Sequence, residues 1–278
     1  MLLKGKPIAE KNIEFCKTLI QEKKLNPHLY IFLLSDDPAS DYYVNSIKKQ
    51  ANNINIQVTL DKENVSQDEL INKIKNLNID DNVHAIMVQK PLPKHIDPNI
   101  IDQTINPHKD IDGLTAVNAG LMLQERDCFL PCTAEAILEI MDFYNISAEG
   151  KHVVVVGRSN IVGKPIANLL LYKKKNRNAT VTVCHSRTPN ISYFTKMADI
   201  LITAVGVPHL IDCDMVKQNV IIIDAGINEI TDQNGKIKYV GDVNFEKCVD
   251  MCESITPVPG GVGAVTTSVL LKHVVSIL

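Results

Sequence analysis

Residues 153 to 165 read VVVVGRSNIVGKP, and those residue types in that order could hold an anion. Val153 to Val156 carry no polar alternation, which predicts a strand buried on both faces of a parallel sheet. The run stops at Gly157. Gly163, Lys164 and Pro165 then open an apolar helical pattern through Ile166, Ala167, Leu169, Leu170 and Leu171. A strand, a glycine-bearing turn and a helix N-terminus aim backbone N–H groups and the helix dipole at a phosphate. The glycine spacing differs from G-x-G-x-x-G, and an ordinary βα turn of a doubly wound sheet has the same ingredients, so the neighbouring strands must decide.

They favour a nucleotide. The next predicted strand, Thr180 to Cys184, ends in His185, Ser186 and Arg187. An acidic residue at that place would take a ribose 2′-hydroxyl, but no Asp or Glu lies between Lys164 and Asp199. With Arg158 in the first turn, two guanidinium groups and a serine are offered instead, which suits a 2′-phosphate. NADP is therefore expected over NAD. Predicted strands Ile200 to Ala204, ended by Gly206, and Val220 to Asp224, ended by Ala225 and Gly226, complete a Rossmann-like pattern.

The remaining elements must position these groups. At 278 residues, two domains are the natural division. Pro7 to Ile20 carries a helical apolar stripe, and Leu29 to Leu34 reads as a buried strand ended by Ser35-Asp36-Asp37-Pro38. Ser40 is expected to cap the next helix, whose core face is Val44, Ile47 and Ala51, and Ser66 to Glu69 reads as a capping box. The strand His84 to Val88 runs into Gln89-Lys90-Pro91-Leu92-Pro93. Those prolines cannot continue a ladder and must turn away at the carboxyl edge, where open α/β sheets bind ligands. The first domain is expected to end near Val117, with Asn118 to Pro131 leading into a linker helix, Thr133 to Tyr144. Ile255 to Gly263 is a glycine-rich loop that lets backbone approach a flat ligand, and Ala264 to Leu278 reads as a final helix.

Composition narrows the function. The chain is 45% hydrophobic and 22% charged with a net charge of -3, which gives no electrostatic reason to bind nucleic acid. The basic run Lys173 to Lys175 with Arg177 follows a predicted helix and is expected to favour its C-terminal dipole from solvent. No apolar run is long enough to span a bilayer, and the start MLLKGKPIAE lacks a signal-peptide apolar region. Seven cysteines without a C-x-x-C suit reduced thiols and a cytoplasmic location. Cys248 and Cys252 could share a helix face, but no histidine pattern completes a metal site, and neither H-E-x-x-H nor G-x-S-x-G occurs.

Read together, these segments resemble the methylenetetrahydrofolate dehydrogenase/methenyltetrahydrofolate cyclohydrolase family of the FolD type. The resemblance runs through Leu3-Lys4-Gly5-Lys6, Pro38-Ala39-Ser40 before Tyr43-Val44, Val88-Gln89 before Pro91-Leu92-Pro93, and Lys109 to Gly113. It continues through Pro131-Cys132-Thr133, Gly157 to Pro165, Cys184-His185-Ser186, Asp224 to Asn228, Gly241-Asp242-Val243 and Pro257 to Gly263. It implies an α/β protein of two α/β domains flanking a cleft, the second a Rossmann-like NADP-binding domain. The folate-binding domain would span residues 1–118, with the helix 264–278 returning to it, and the NADP-binding domain 119–263. It further implies a homodimer acting on tetrahydrofolate derivatives: hydride transfer from 5,10-methylenetetrahydrofolate to NADP, then hydrolysis of the methenyl product to 10-formyltetrahydrofolate.

The resemblance also implies roles. Tyr43, Gln89 and Asp112 would be catalytic, with Tyr43, Asp112, Pro257, Gly260 and Gly261 binding substrate. Gly157, Arg158, Ser159, Gly163, His185, Ser186, Arg187, Gly206 and Ile227 would bind the cofactor, and no metal is implied. Tyr43 offers a ring face and a hydroxyl, Gln89 can hold a polar group or a water, and Asp112 can accept from pterin N–H donors. One departure matters. The family places a lysine four residues after the tyrosine, on the same helix face, and implicates it in the hydrolytic step; here that residue is Ile47. Lys48 is rotated away, and Lys90, where the family usually has leucine, is the candidate to supply the ammonium instead. A monofunctional dehydrogenase and a non-catalytic folate or nucleotide binder are the alternatives.

Overall fold

The computed structural model describes residues 1–231 and 235–278. They form two compact units, one of Glu10–Leu130 with Thr267–Leu278, the other of Met1–Ala9 with Pro131–Thr266.

In chain order, α1 (Lys6–Lys23), β1 (His28–Phe32), α2 (Pro38–Asn52), β2 (Gln57–Asp61), α3 (Gln67–Ile79), β3 (Ala85–Val88), α4 (Pro98–Thr104) and α5 (Ala116–Leu123) lead through the first unit. Its sheet is parallel, in the order β2-β1-β3, with Leu29 opposite both Val58 and Ala85. Asp110 adds a parallel bridge to Ile86, so residues 109 to 112 run beside β3. Phe32, Leu70, Ile74, Ile86 and Ile101 pack into one core, which explains the unbroken apolar character of β1 and β3.

Three expectations here are corrected. The cap of α2 is Asp37, whose carboxylate accepts the Ser40 amide; Pro38 fits the first helical position because no N–H is needed there. Ser40 therefore lies inside the helix. Residues 118 onward are not a simple connector, because Thr115 caps α5 by accepting the Asn118 amide. The final helix begins at Val262, earlier than Ala264.

In the other unit the order is α6 (Cys132–Phe143), β4 (His152–Val156), α7 (Gly163–Leu170), β5 (Thr180–Cys184), α8 (Ile191–Thr195), β6 (Ile200–Thr203), β7 (Ile221–Asp224), β8 (Asn228–Thr231), β9 (Ile237–Val240), α9 (Phe245–Cys248) and β10 (Ser254–Ile255), and α10 (Val262–Ser276) begins there and belongs to the first unit from Thr267 onward. The parallel sheet has the order β10-β7-β6-β4-β5. From β4 the chain first moves out to β5, then returns to the other side as β6, so β4 stands at the switch point where such sheets bind ligands. Val154, Val156, Leu201 and Ile222 form its buried core. The basic run 173–175 follows the end of α7 at Leu170 and is exposed, as expected. Arg177 instead forks onto Asp142 of α6, at 2.9 and 2.8 Å. Cys252 lies beyond the end of α9, so it shares no helix face with Cys248; all seven cysteines are free thiols.

Candidate functional site

In the first unit, the N-terminus of α2 is tied to the exit of β3. The Ser40 hydroxyl donates to Asp37 at 2.7 Å and lies 3.2 Å from the Lys90 carbonyl. The Gln89 amide nitrogen donates to the Lys90 carbonyl at 2.7 Å and to the Ser40 oxygen at 3.4 Å. Gln89 is thus oriented by the first turn of α2, and Tyr43, half-buried, stands one turn further along. Ile47 follows after another turn and is fully buried. Lys48 is exposed.

Asp112 is placed by its neighbours. Asp110 accepts the amides of Leu114 and Thr115 and the side-chain amide of Asn118, at 3.1, 2.8 and 2.8 Å. The Gly113 amide donates back to the Asp110 carbonyl, and Gly113 adopts a φ of 64°, which glycine meets without a Cβ clash. His273 Nδ1 lies 2.7 Å from the Ile111 carbonyl and fixes the same turn from α10. Asp112, half-buried, lines a small cavity with Asp102, Asp110, Met87, Val88 and Leu114. Lys90, considered above as an ammonium in place of the missing lysine, bonds Asp102 through Nζ at 2.6 Å. Burial raises the pKa of Asp102, and the Lys90 ammonium opposes that rise.

In the other unit, Gly157 leaves β4 at a φ of 131°, and a Cβ there would overlap the Ala204 carbonyl. A Cβ on Gly163 would overlap the Gly157 carbonyl, so the helix start folds directly against the turn. Ser159 Oγ accepts the amides of Val162 and Gly163 at 3.0 and 3.4 Å, so these groups are partnered within the turn. Arg158 is exposed beside them. Next to this cradle, His185 to Thr188 form a tight turn: His185 N–H donates to Thr188 Oγ1 at 2.9 Å, and Arg187 N–H to His185 Nδ1 at 3.1 Å. Ser186 and Arg187 are exposed there, and no carboxylate follows β5. A turn closed by glycines at the switch point, with guanidinium groups alongside, fits a dinucleotide carrying an extra phosphate.

Two buried carboxylates, seen in the sequence only as parts of motifs, hold the other loops of this edge. Asp242 accepts the amides of Val205, Gly206 and Val207 at 2.7, 3.3 and 3.0 Å, and the Asn228 side chain at 3.0 Å. Asp224 accepts from the Thr203 hydroxyl and from the amides of Gly226 and Val243, each at 2.9 Å. Gly226 packs on the Asp242 carboxylate and Gly241 on that of Asp224, which interlocks the two segments. Burial, aided by the charge of Asp242, pushes Asp224 up to about 6. Gly206 and the exposed Ile227 are fixed by this lattice. Pro257, Gly260 and Gly261 form a loop anchored by the Gly5 amide, which donates to the Gly260 carbonyl at 2.8 Å.

Among the described residues, no group of three His, Cys, Asp or Glu side chains could hold a metal ion, and no helix is long and apolar enough to cross a membrane. Residues 3–112 match the tetrahydrofolate dehydrogenase/cyclohydrolase catalytic-domain model, and residues 131–278 the NAD(P)-binding-domain model of the same family. A bifunctional protein FolD of Chlamydia felis is 44% identical over 98% of this chain and 96% of its own length. The structure of the bifunctional dehydrogenase/cyclohydrolase FolD of Campylobacter jejuni superposes with a TM-score of 0.92 at 41% identity, covering 100% of this chain and 98% of that one. The Trypanosoma brucei enzyme, complexed with NADP and an inhibitor, gives a TM-score of 0.92 at 34% identity, covering 100% and 96%. With both family domains matched in order and near-complete coverage by such relatives, this chain belongs to the tetrahydrofolate dehydrogenase/cyclohydrolase family.

Proposed function

We propose that this chain oxidises 5,10-methylenetetrahydrofolate to the methenyl form with NADP and hydrolyses the product to 10-formyltetrahydrofolate. The carrying observation is that Tyr43, Gln89 and Asp112 stand around the carboxyl end of one small parallel sheet, Gln89 locked to the α2 turn and Asp112 to the turn after Asp110. Asp112 binds the pterin by accepting its ring and amino N–H groups, and Tyr43 stacks on the aminobenzoyl ring with its hydroxyl beside the one-carbon unit. Gln89 holds a polar group or water at that unit. Pro257, Gly260 and Gly261 are assigned to the substrate as well.

NADP, when bound, supplies the hydride acceptor. Arg158, Ser186 and Arg187 would hold the 2′-phosphate, while Gly157, Ser159, Gly163, His185, Gly206 and Ile227 shape the rest of the cradle. Loss of hydride leaves a methenyl cation, and water must then add to it with loss of a proton. Ile47 can neither take that proton nor donate to Tyr43, so this second step is the slower of the two. The exposed edge strand β5, with Val183 38% exposed, supports a homodimer, and the reduced thiols support a cytoplasmic site of action. Mixing enzyme, methylenetetrahydrofolate and NADP while following NADPH and methenyltetrahydrofolate separately tests the proposal. Both signals should rise, and absence of NADPH rejects it.

A further inference from the structure

Helix α10 buries a histidine among apolar neighbours. Val269, Leu270, Leu271, Val274 and Val275 are fully enclosed, and His273 between them is 5% exposed. An apolar side chain would pack there without the cost of taking an imidazole out of water, a cost that only hydrogen bonds offset. His273 Nδ1 lies 2.7 Å from the Ile111 carbonyl oxygen, 162 residues away in sequence. A carbonyl has no hydrogen to give, so Nδ1 carries one and donates it. The Phe129 ring packs against the imidazole, its centroid 5.1 Å away and its plane tilted by 53°. All three residues belong to the unit of Glu10–Leu130 with Thr267–Leu278.

The acceptor of that bond belongs to the peptide that joins Ile111 to Asp112. On the other side of Asp112, the Gly113 N–H donates to the Asp110 carbonyl at 3.1 Å. Each peptide is a rigid plane, so fixing the planes before and after a residue fixes its φ and ψ and the direction in which its side chain leaves the chain. We infer that His273 is a positioning residue for the substrate: by holding the Ile111 carbonyl from the final helix, it sets the direction of Asp112 and through it the affinity for the pterin. This rests on the folate reading above, in which Asp112 accepts pterin N–H groups. Hydrogen bonds weaken steeply with misalignment, so a loosened peptide plane costs affinity without the loss of any atom that touches substrate. His273 moves neither proton nor hydride, so its replacement acts on KM more than on kcat.

Equilibrium binding of tetrahydrofolate tests this in the wild type, in His273→Leu, in Asp112→Ala, in the two combined, and in His273→Asn, whose amide nitrogen falls where Nδ1 stands. His273→Leu should weaken binding about tenfold, and His273→Asn by about threefold or less. In the Asp112→Ala background the same leucine should cost less than about twofold, because the carboxylate it misdirects is gone. A role in packing alone would show its full loss in either background. NADP affinity should stay the same throughout. If His273→Leu does not fold, His273→Gln, whose amide reaches the place of Nε2 rather than Nδ1, takes its position in the cycle. Wild-type affinity in that His273 variant, or a loss that persists undiminished beside Asp112→Ala, overturns the inference and leaves the folate reading intact. Tetrahydrofolate affinity unchanged by Asp112→Ala removes both.

Discussion

Tyr43 and Ile47 lie one helical turn apart on α2, the first half-buried and the second fully enclosed in the core. A lysine at Ile47 would share the helix face of Tyr43. Ile47→Lys is therefore expected to raise methenyl hydrolysis about 100-fold relative to hydride transfer, the low end of what general acid–base help gives. The same change places an ammonium where the core now holds a branched alkyl group, so the thermal midpoint should fall. Parallel hydrolysis assays and thermal melts check both; unchanged hydrolysis in a folded variant contradicts the role given to this position.

Asp112→Asn keeps the size of the side chain but removes a charge that accepts N–H donors. Two charge-assisted hydrogen bonds weakened together should lower kcat/KM for methylenetetrahydrofolate by about 100-fold, mostly through KM. NADP affinity, measured alone by fluorescence, should stay the same.

The cofactor cradle proposed above carries exposed cations, Arg158 and Arg187, after β4 and β5. Arg187→Asp places a carboxylate where a ribose 2′-hydroxyl can donate to it and a 2′-phosphate would be repelled. The ratio of kcat/KM for NADP over NAD should fall by about 10- to 100-fold. An unaltered ratio would move the 2′-phosphate contact to other residues.

Buried carboxylates make stability depend on pH in a direction that can be worked out. Burial pushes the Asp224 carboxyl up to about 6, above the ordinary aspartate value of about 3.9 kept in the unfolded chain, so between those values the native state binds more protons than the unfolded one. Stability therefore rises as pH falls from about 7 toward 4 on account of this group, by on the order of 3 kcal/mol at the extreme. Asp224→Asn should flatten that part of the profile whatever it does to absolute stability. Denaturant melts across this range in both proteins measure the slope, and an identical slope would mean that Asp224 is ionised throughout.

The sequence displays what depends on neighbours along the chain. The valines of β4 announce a strand buried on both faces, and Ser66 with Glu69 announces the capping box that the structure contains. Where two local signals compete, the structure decides between them. Asp37 and Ser40 can both cap a helix, and Pro38 decides for Asp37. Helix α5 is hard to see in the sequence because Asn118 and Gly120 weaken its propensity, and its start depends on Thr115 and on the loop that Asp110 closes onto it. The bond from Lys90 to Asp102 joins a strand exit to a separate helix, and the interlock of Asp224 with Gly241 joins two loops. No periodicity encodes such contacts, because they arise only when the elements pack.

Hydride transfer from the one-carbon unit is the centre of the account, and isotope transfer tests it most directly. With 5,10-methylenetetrahydrofolate carrying deuterium on the methylene carbon, mass spectrometry of the reduced cofactor should show one deuterium per NADPH formed. NADPH that forms without the label, or no reduced cofactor at all, would contradict the account.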